Sequence, residues 1–312
     1  MTDTAVDLSH GDGGGHPPTP GDLTSSLQTK SPRARRRMRR DRIMTGLLFA
    51  CLLLALVPLA LILFVVIRNG APAMNWEFLT TVSISLRRPG GGWLHGLIGT
   101  LYMTLIATGL SVPLGVAAAV YLVEFRRDPL TAPIRFFTDV MTGVPSIFVG
   151  LFIYAALVQM IGFGTLVGAL SLGLLMLPIV VRSAEEILKL VPDDLRHGAY
   201  ALGARRWQTT VRVVLPAAGP GLVTGSMLAI ARAIGETAPL ILTAFGALEI
   251  VTALQGQPQA ALTLLIFDGA RSPYQAGQAK AWAGALELLL VVLLFAFLAR
   301  LVTMRRGRRR GL

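Results

Sequence analysis

The fold of this chain is decided by a stretch that runs from residue 182 to residue 245. It contains the polar run DDLRHGAYALGARRWQTTVRVVLP at residues 193–216 and the run ARAIGETAPL at residues 231–240. The polar run lies between two long apolar segments, whereas the second run places an arginine and a glutamate inside an apolar segment. The second run is therefore a candidate site for an ion within the membrane.

The composition around this stretch is that of an integral membrane protein. Of the 312 residues, 53% are apolar and 15% are charged, and the mean hydropathy is +0.63. A helix needs about 20 apolar residues to cross a bilayer, and lipid leaves no alternative partner for backbone amides. The single cysteine, Cys51, excludes an internal disulfide and a multi-cysteine metal site. We therefore predict an all-α membrane protein without a metal site.

Six membrane-spanning helices account for the apolar runs. They are predicted at 43–67, 94–123, 140–181 (two crossings hinged at Gly162-Phe163-Gly164), 217–245 and 281–299. Residues 1–42 are assigned to a disordered basic tail, since their first part is rich in Gly, Pro, Ser and Thr. Residues 43–303 form the transmembrane domain, and residues 304–312 form a basic C-terminus.

The distribution of basic residues predicts the orientation of these spans. The tail, the loops 124–135 and 183–216 and the C-terminus hold 21 lysines and arginines, whereas the opposite segments, 68–94 and 246–280, hold 5. Because basic residues accumulate on the cytoplasmic side, both termini and the 183–216 loop are predicted to be cytoplasmic in a multi-pass protein of the cell (inner) membrane. The net charge of +12 then reflects topology and attraction to anionic membrane lipid, not nucleic acid.

The 183–216 loop is predicted to form two short helices. Asp193 or Asp194 can cap a helix that runs to about Leu202, and Gly203 can supply a left-handed C-cap. A second helix would start near Arg206 and enter the membrane at Leu215-Pro216. Such a pair makes a knob that projects from the bilayer, although a simple amphipathic connector is the commoner use of such loops.

Arg232 and Glu236 are predicted to lie inside the membrane. Arg232 follows Pro216 by about 24 Å of helix, and Glu236 lies at i+4 on the same face. Ionisable groups at this depth mark substrate pathways by default, and a guanidinium suits oxyanions such as phosphate or sulfate. A structural ion pair is the alternative. Arg182 ends the fourth span either as an anchor or as part of an exit path, and Glu287 has no evident partner.

The 183–216 loop resembles the EAA loop of ABC-importer permeases, the surface on which a separate ATPase docks. In that family, Glu-Ala-Ala is followed by three residues, a glycine, nine residues, and an aliphatic-x-Leu-Pro group. Here the same spacing is occupied by His197-Gly198-Ala199, Gly203 and Val213-Val214-Leu215-Pro216, so the leading triplet departs from the pattern. The resemblance implies that the residues that couple to the ATPase are Asp194, Arg196, His197, Gly198, Ala199, Gly203, Leu215 and Pro216.

The run at 231–240, together with Thr142-Gly143-Val144-Pro145-Ser146-Ile147, resembles the A-type (PstA) permeases of phosphate-specific ABC importers. This resemblance implies six transmembrane helices of the MetI-like, type I ABC-importer permease fold. It further implies a sister permease (PstC-like), two ATPase subunits (PstB-like) that carry ATP and Mg, and an external phosphate-binding protein (PstS-like). The substrate-path residues that it implies are Arg232, Glu236, Thr237 and Arg182.

Other functions remain open from the sequence. The chain has no Gly-x-x-x-x-Gly-Lys-Ser/Thr run, so we predict a transport subunit without its own ATPase site and without a bound cofactor. The nearest alternative is a permease for sulfate or molybdate. More distant alternatives are a membrane enzyme that uses Asp193, Asp194 and His197, and a passive anion channel.

Overall fold

A computed structural model describes residues 32–82 and 85–308. Within these residues the regular secondary structure is helical. The helices are α1 (Pro32–Gly70), α2 (Trp76–Thr80), α3 (Leu94–Glu124), α4 (Thr131–Gly143), α5 (Ser146–Ile161), α6 (Thr165–Lys189), α7 (Asp193–Ala201), α8 (Arg206–Ile234), α9 (Ala238–Thr243), α10 (Leu262–Arg271) and α11 (Gln275–Arg308).

Helix α1 begins earlier than the sequence analysis predicts. Its first residue is Pro32, a favoured residue in a first helical turn, and the arginines and alanine that follow are strong helix formers. Residues 32–42 are therefore helical, which corrects their assignment to a disordered tail. The rest of that tail, 1–31, and residues 309–312 of the basic C-terminus lie outside the described residues.

The chain divides into two units between Ile62 and Leu63. In the first unit, the side chains from Arg36 to Ile62 are all exposed, and most of them beyond Arg42 are apolar. The second unit contains the remaining elements and the buried core.

The number of crossings agrees with the predicted architecture. Among the described residues, five helices are long and apolar enough to cross a membrane, namely α1, α3, α6, α8 and α11. The pair α4–α5 makes a sixth if it counts as one span, with a bend of 108° between its halves. Val144 is extended at this bend because Pro145 follows it, and proline disfavours the helical conformation in the preceding residue.

The core of the second unit is formed by α3 packed along α6, with α8 on another side of α6. Gly115 on α3 allows this approach, since a Cβ there would lie 2.7 Å from Val180 Cγ1. On α8, Gly225 plays the same part, since a Cβ there would lie 2.8 Å from Ser183 Cβ. These glycines let the three helices that carry most of the charged residues discussed below pack closely.

The predicted hinge between the third and fourth spans is confirmed. Helix α5 ends at Ile161, Gly162 takes a φ of +80°, and α6 starts at Thr165. A φ in this region favours glycine over residues with a Cβ.

The predicted fifth span, 217–245, is not one continuous helix. Helix α8 ends at Ile234, Gly235 follows, and α9 begins at Ala238 with Pro239 in its first turn. Proline has no N–H to continue the helical ladder and its ring clashes with the preceding turn. Arg232 therefore lies in the last turn of a helix and Glu236 lies beyond it, which corrects the prediction of a mid-helix pair.

The segment 246–261 closes over the N-terminal end of α6. Buried Gln259 donates from Nε2 to Thr165 Oγ1 (2.9 Å) and to the Val251 carbonyl (3.0 Å), and its Oε1 accepts from the Ala260 N–H (3.0 Å). Thr165 in turn donates to the Ala253 carbonyl at 2.8 Å. One amide thus ties the first residue of α6 to the interior of this segment and to its C-terminal end.

We expect Gln259→Leu to lower the free energy of unfolding by about 2–3 kcal/mol, because it leaves a buried carbonyl and a buried N–H without their partner. Thermal unfolding of the detergent-solubilised protein measures this effect. Gln257→Leu is the matched control, since Gln257 is exposed two residues earlier. Equal unfolding temperatures for the two variants would contradict the role given to Gln259.

Candidate functional site

The first candidate site is the break between α8 and α9. Arg232 Nε lies 3.5 Å from Glu236 Oε1, so the predicted pair is present. The Arg232 side chain is 62% exposed, whereas that of Glu236 is 16% exposed. The carboxylate is therefore held against the protein, and most of the guanidinium N–H donors remain open to a further partner.

Two threonines fix the backbone at this break. Thr263 Oγ1 on α10 donates to the Glu236 carbonyl at 3.1 Å. Thr237 is half-buried, and its carbonyl accepts the N–H groups of Leu240 (3.1 Å) and Ile241 (3.2 Å), while its side chain does not cap α9. The backbone that follows Arg232 is thus held at a fixed place.

The second candidate site surrounds Arg182 on α6. Arg182 Nη2 lies 3.0 Å from Asp139 Oδ1 on α4, and its Nη1 lies 3.8 Å from Glu185 Oε2. Glu185 is buried, and its Oε1 lies 2.6 Å from Arg135 Nη2 and 2.7 Å from Lys189 Nζ. We call these five residues the α4–α6 charge cluster.

The two arginines belong to neighbouring helices. Ser183, next to Arg182, packs against Gly225 of α8. Gly225 precedes Arg232 by seven residues, or about 10 Å along a helix. Each arginine is about half exposed or more, and the nearest carboxylate is that of Asp139 for Arg182 and that of Glu236 for Arg232. The two guanidinium groups are therefore suited to hold an oxyanion at two successive positions along α6 and α8.

Helix α7 and its glycine break agree with the predicted loop structure. The helix ends at Ala201, and Gly203 has a φ of +80°. The prediction that Asp193 or Asp194 caps α7 is wrong, since Pro192 occupies the N-cap and no side chain caps it. Asp193 Oδ1 instead accepts from Arg196 Nη1 at 3.0 Å.

Arg196 attaches α7 to the ends of two long helices. Nη1 also donates to the Val191 carbonyl (2.8 Å), Nη2 donates to the Leu188 carbonyl (3.1 Å), and Nε lies 3.4 Å from Glu124 Oε1 at the end of α3. The residue is only 8% exposed. Arg196, predicted as a coupling residue, therefore faces inward and positions the loop.

The turn after α3 is held to the same end of the molecule. Arg206 Nη2 donates to the Glu124 carbonyl at 2.7 Å, and its guanidinium lies 4.8 Å from the centre of the Phe125 ring. Further along the turn, a hydrogen bond from Tyr121 holds the pKa of Asp128 below its usual value, with a smaller contribution from the Leu130 N–H. The turn thus carries a carboxylate that stays ionised.

The outer face of the loop forms an open groove of about 570 Å³. Leu202 on its rim is 90% exposed, and nearby Trp207 is 57% exposed. His197 and Gly198 are exposed and Ala199 is half-buried. The lining residues are Asp194, Leu195, Gly198, Ala199, Leu202, Gly203, Ala204, Gln208, Arg212 and Val213. This largely apolar surface is suited to receive a protein segment.

Leu215 and Pro216 lie where the loop joins the long part of α8. Leu215 packs against the buried cluster that includes Val214 and Ala218. A π-helical turn, Thr210–Val214, comes directly before them. Such a turn interrupts the regular ladder next to Pro216, which has no N–H to contribute to it.

The structure brings together residues that the sequence analysis did not group. Glu185 and Asp139 were missed, although Glu185 lies three residues after Arg182 and four before Lys189, spacings that place all three on one helix face. Glu287 is 2% exposed and its carboxylate makes no hydrogen bond within the described residues, so it is buried inside this chain.

The residues of the membrane-enzyme alternative do not form a site. Asp193 is paired with Arg196, and His197 is exposed. No group of three His, Cys, Asp or Glu residues suited to a metal ion is found in the described part of the chain.

Comparison with known sequences matches the chain to one transport family. A family model described as "Binding-protein-dependent transport system inner membrane component" matches residues 111–308. The "Phosphate transport system permease protein PstA" of Mycobacterium leprae (strain TN) is 41% identical over 262 residues, which cover 82% of this chain and 86% of the relative. The protein of the same name in Yersinia pestis is 40% identical over 268 residues, with coverage of 85% and 90%.

Solved structures of ABC transporters share the fold. An inward-facing structure of the MetNI methionine ABC transporter matches with a TM-score of 0.59 at 19% identity, over 68% of this chain and 95% of that chain. A bacterial alginate ABC transporter in complex with an alginate-bound periplasmic protein matches with a TM-score of 0.63 at 13% identity, over 88% and 98%. These matches confirm the predicted MetI-like permease fold.

Proposed function

This chain belongs to the family of binding-protein-dependent transport system inner membrane components, and from that premise we propose that it is the PstA-type permease subunit of an ATP-driven phosphate importer. The observation that carries the proposal is the Arg232 guanidinium, which is 62% exposed in an apolar helix and has one carboxylate at 3.5 Å. A planar, permanently charged fork of this kind suits a tetrahedral oxyanion. The names of the relatives specify phosphate for those proteins, and the exposed arginines are consistent with the same anion here.

Arg232, Glu236, Thr237 and Arg182 line the proposed substrate path. Glu236 reduces the positive electrostatic potential at Arg232, so that a bound anion can still dissociate. Thr237 fixes the backbone that presents the arginine. Arg182 offers a second anion-binding position (the second station), toward the end of α6 where the 183–216 loop lies.

The outer face of α7 and its groove form the proposed docking surface for the ATPase. The exposed residues Asp194, His197, Gly198 and Leu202 would contact the partner, and Gly203 allows the turn that shapes the groove. Arg196, Leu215 and Pro216 act behind this surface by fixing it to α3, α6 and α8. ATP and Mg belong to the ATPase subunits, and this chain contributes no cofactor.

The proposed assembly contains this chain, a PstC-like sister permease, two PstB-like ATPases and an external PstS-like phosphate-binding protein. The distribution of basic residues supports a cytoplasmic position for both termini and the 183–216 loop by the positive-inside rule. Substrate would therefore reach Arg232 before Arg182.

Uptake of labelled phosphate in cells that lack this gene tests the proposed function. Expression of the chain is expected to restore ATP-dependent uptake that excess sulfate and molybdate do not reduce. Full competition by either anion would assign the permease to that anion instead. Uptake that continues after ATP depletion would favour the passive channel.

A further inference from the structure

The α4–α6 charge cluster has an excess of positive charge. Arg135, Arg182 and Lys189 face the carboxylates of Asp139 and Glu185, so three cations meet two anions. If Asp139 leaves, three cations face one carboxylate, and the excess of two positive charges matches a doubly charged oxyanion.

The two carboxylates hold different positions in this cluster. Glu185 is 1% exposed and bonds Arg135 and Lys189 at 2.6 and 2.7 Å, so it is a fixed part of the protein. Asp139 and Arg182 are each 45% exposed, and Arg182 is the one ion-pair partner that Asp139 has among the described residues. An exposed pair of this kind adds little net stability and is readily exchanged.

Helix α4, which carries Asp139, is weakly attached elsewhere. Thr131 is the only residue of α4 that is buried, and its hydroxyl donates to the Phe125 carbonyl at 2.8 Å. At the other end, the 108° bend at Val144-Pro145 separates α4 from α5. The ion pairs of Arg135 and Asp139 with α6 join the middle of this helix to α6.

We propose that Asp139 is an exchangeable counter-ion of Arg182, which occupies the guanidinium when no substrate is present and is displaced by the transported oxyanion. The proposal rests on the proposed function, since it takes Arg182 as a station for that anion. Asp139 then makes the second station weaker than it would be alone and promotes release of the anion. Displacement of Asp139 also loosens α4 from α6 while the anion is bound.

Inhibition by anion on the release side tests this proposal. The complete importer is reconstituted into proteoliposomes, and the concentration of phosphate in their lumen, the release side, is varied. ATP-driven uptake of labelled phosphate is then measured. For Asp139→Asn we expect half-inhibition at about fivefold lower phosphate than for wild type, the factor equivalent to the ~1 kcal/mol by which an exposed ion pair stabilises. Asp139→Glu should return the inhibition toward the wild-type value.

Two comparisons keep the result specific. Glu186→Gln removes an exposed carboxylate next to Glu185 that has no ion pair among the described residues, and it should leave the inhibition unchanged. In an Arg182→Ala background, Asp139→Asn should have no further effect. Unchanged inhibition in Asp139→Asn, with uptake retained, would show that the pair is only a surface contact.

The failure of the proposed function gives a different result. If wild type transports sulfate and not phosphate, the phosphate assignment is wrong, and the same assay with inside-facing sulfate decides the role of Asp139. A variant that assembles poorly is replaced by Asp139→Ser, and a wild-type response of that variant overturns the proposal in the same way.

Discussion

Replacing Arg232 by alanine is expected to lower ATP-driven phosphate uptake at least tenfold while the protein still reaches the membrane. A hydrogen bond to a charged group contributes about 1.5–3 kcal/mol, which corresponds to a factor of about ten or more. Because the side chain is 62% exposed and has one contact at 3.5 Å, its loss should leave the fold intact. Labelled uptake and the amount of protein in isolated membranes are measured together.

Arg232→Lys separates charge from geometry. It retains the positive charge but loses the planar fork, so its uptake should lie between that of wild type and that of Arg232→Ala. Arg88→Ala is the matched control, because Arg88 is exposed and makes no hydrogen bond or ion pair among the described residues. Normal uptake by Arg232→Ala would mean that the arginine only fixes the end of α8.

Arg196→Met is expected to loosen the attachment of the loop to the ends of α3 and α6. Methionine retains the apolar stem but leaves the Leu188 and Val191 carbonyls and the Glu124 carboxylate without their donor. Loss of such a partly buried network costs about 2–4 kcal/mol. We therefore expect a lower thermal unfolding temperature and at least a tenfold loss of uptake.

The same variant should change the response of the partner ATPase. In the reconstituted importer, stimulation of ATP hydrolysis by loaded binding protein should fall together with uptake. Arg127→Met is the control, since Arg127 is exposed in the neighbouring turn and makes no contact of this kind within the described residues. If the importer with Arg196→Met hydrolyses ATP and transports as wild type does, the contacts of Arg196 have no part in coupling.

Much of the fold follows from local sequence. Hydrophobic runs predict the long helices, and Gly162 and Gly203 mark turns because few other residues accept a positive φ. The sequence predicts one span over 217–245 that Gly235 and Pro239 loosen or bend, because the apolar run continues through them; in the structure these residues end and restart the helix. Composition identifies a span, whereas backbone chemistry decides whether it is continuous.

The candidate site was predictable only where its partners are near in sequence. Arg232 and Glu236 are four residues apart, so their pairing follows from helix periodicity. Asp139 and Arg182 are far apart in the chain, and their contact depends on how α4 packs on α6. Arg196 was assigned to the docking face because its motif position, and not its burial, was visible in the sequence.

The contacts of Arg196 fix the loop to α3 and α6, and α8 connects the same loop to Arg232. Helix α8 has 29 residues, or about 44 Å at 1.5 Å per residue, and it begins at the loop and ends beside Arg232. Arg232 lies about 39 Å along α8 from Arg206, so a tilt of about 10° at the loop would carry the arginine sideways by roughly 7 Å. If the proposed docking face is the site of ATPase contact, a small movement there would thus displace Arg232 by a distance comparable to the size of the anion.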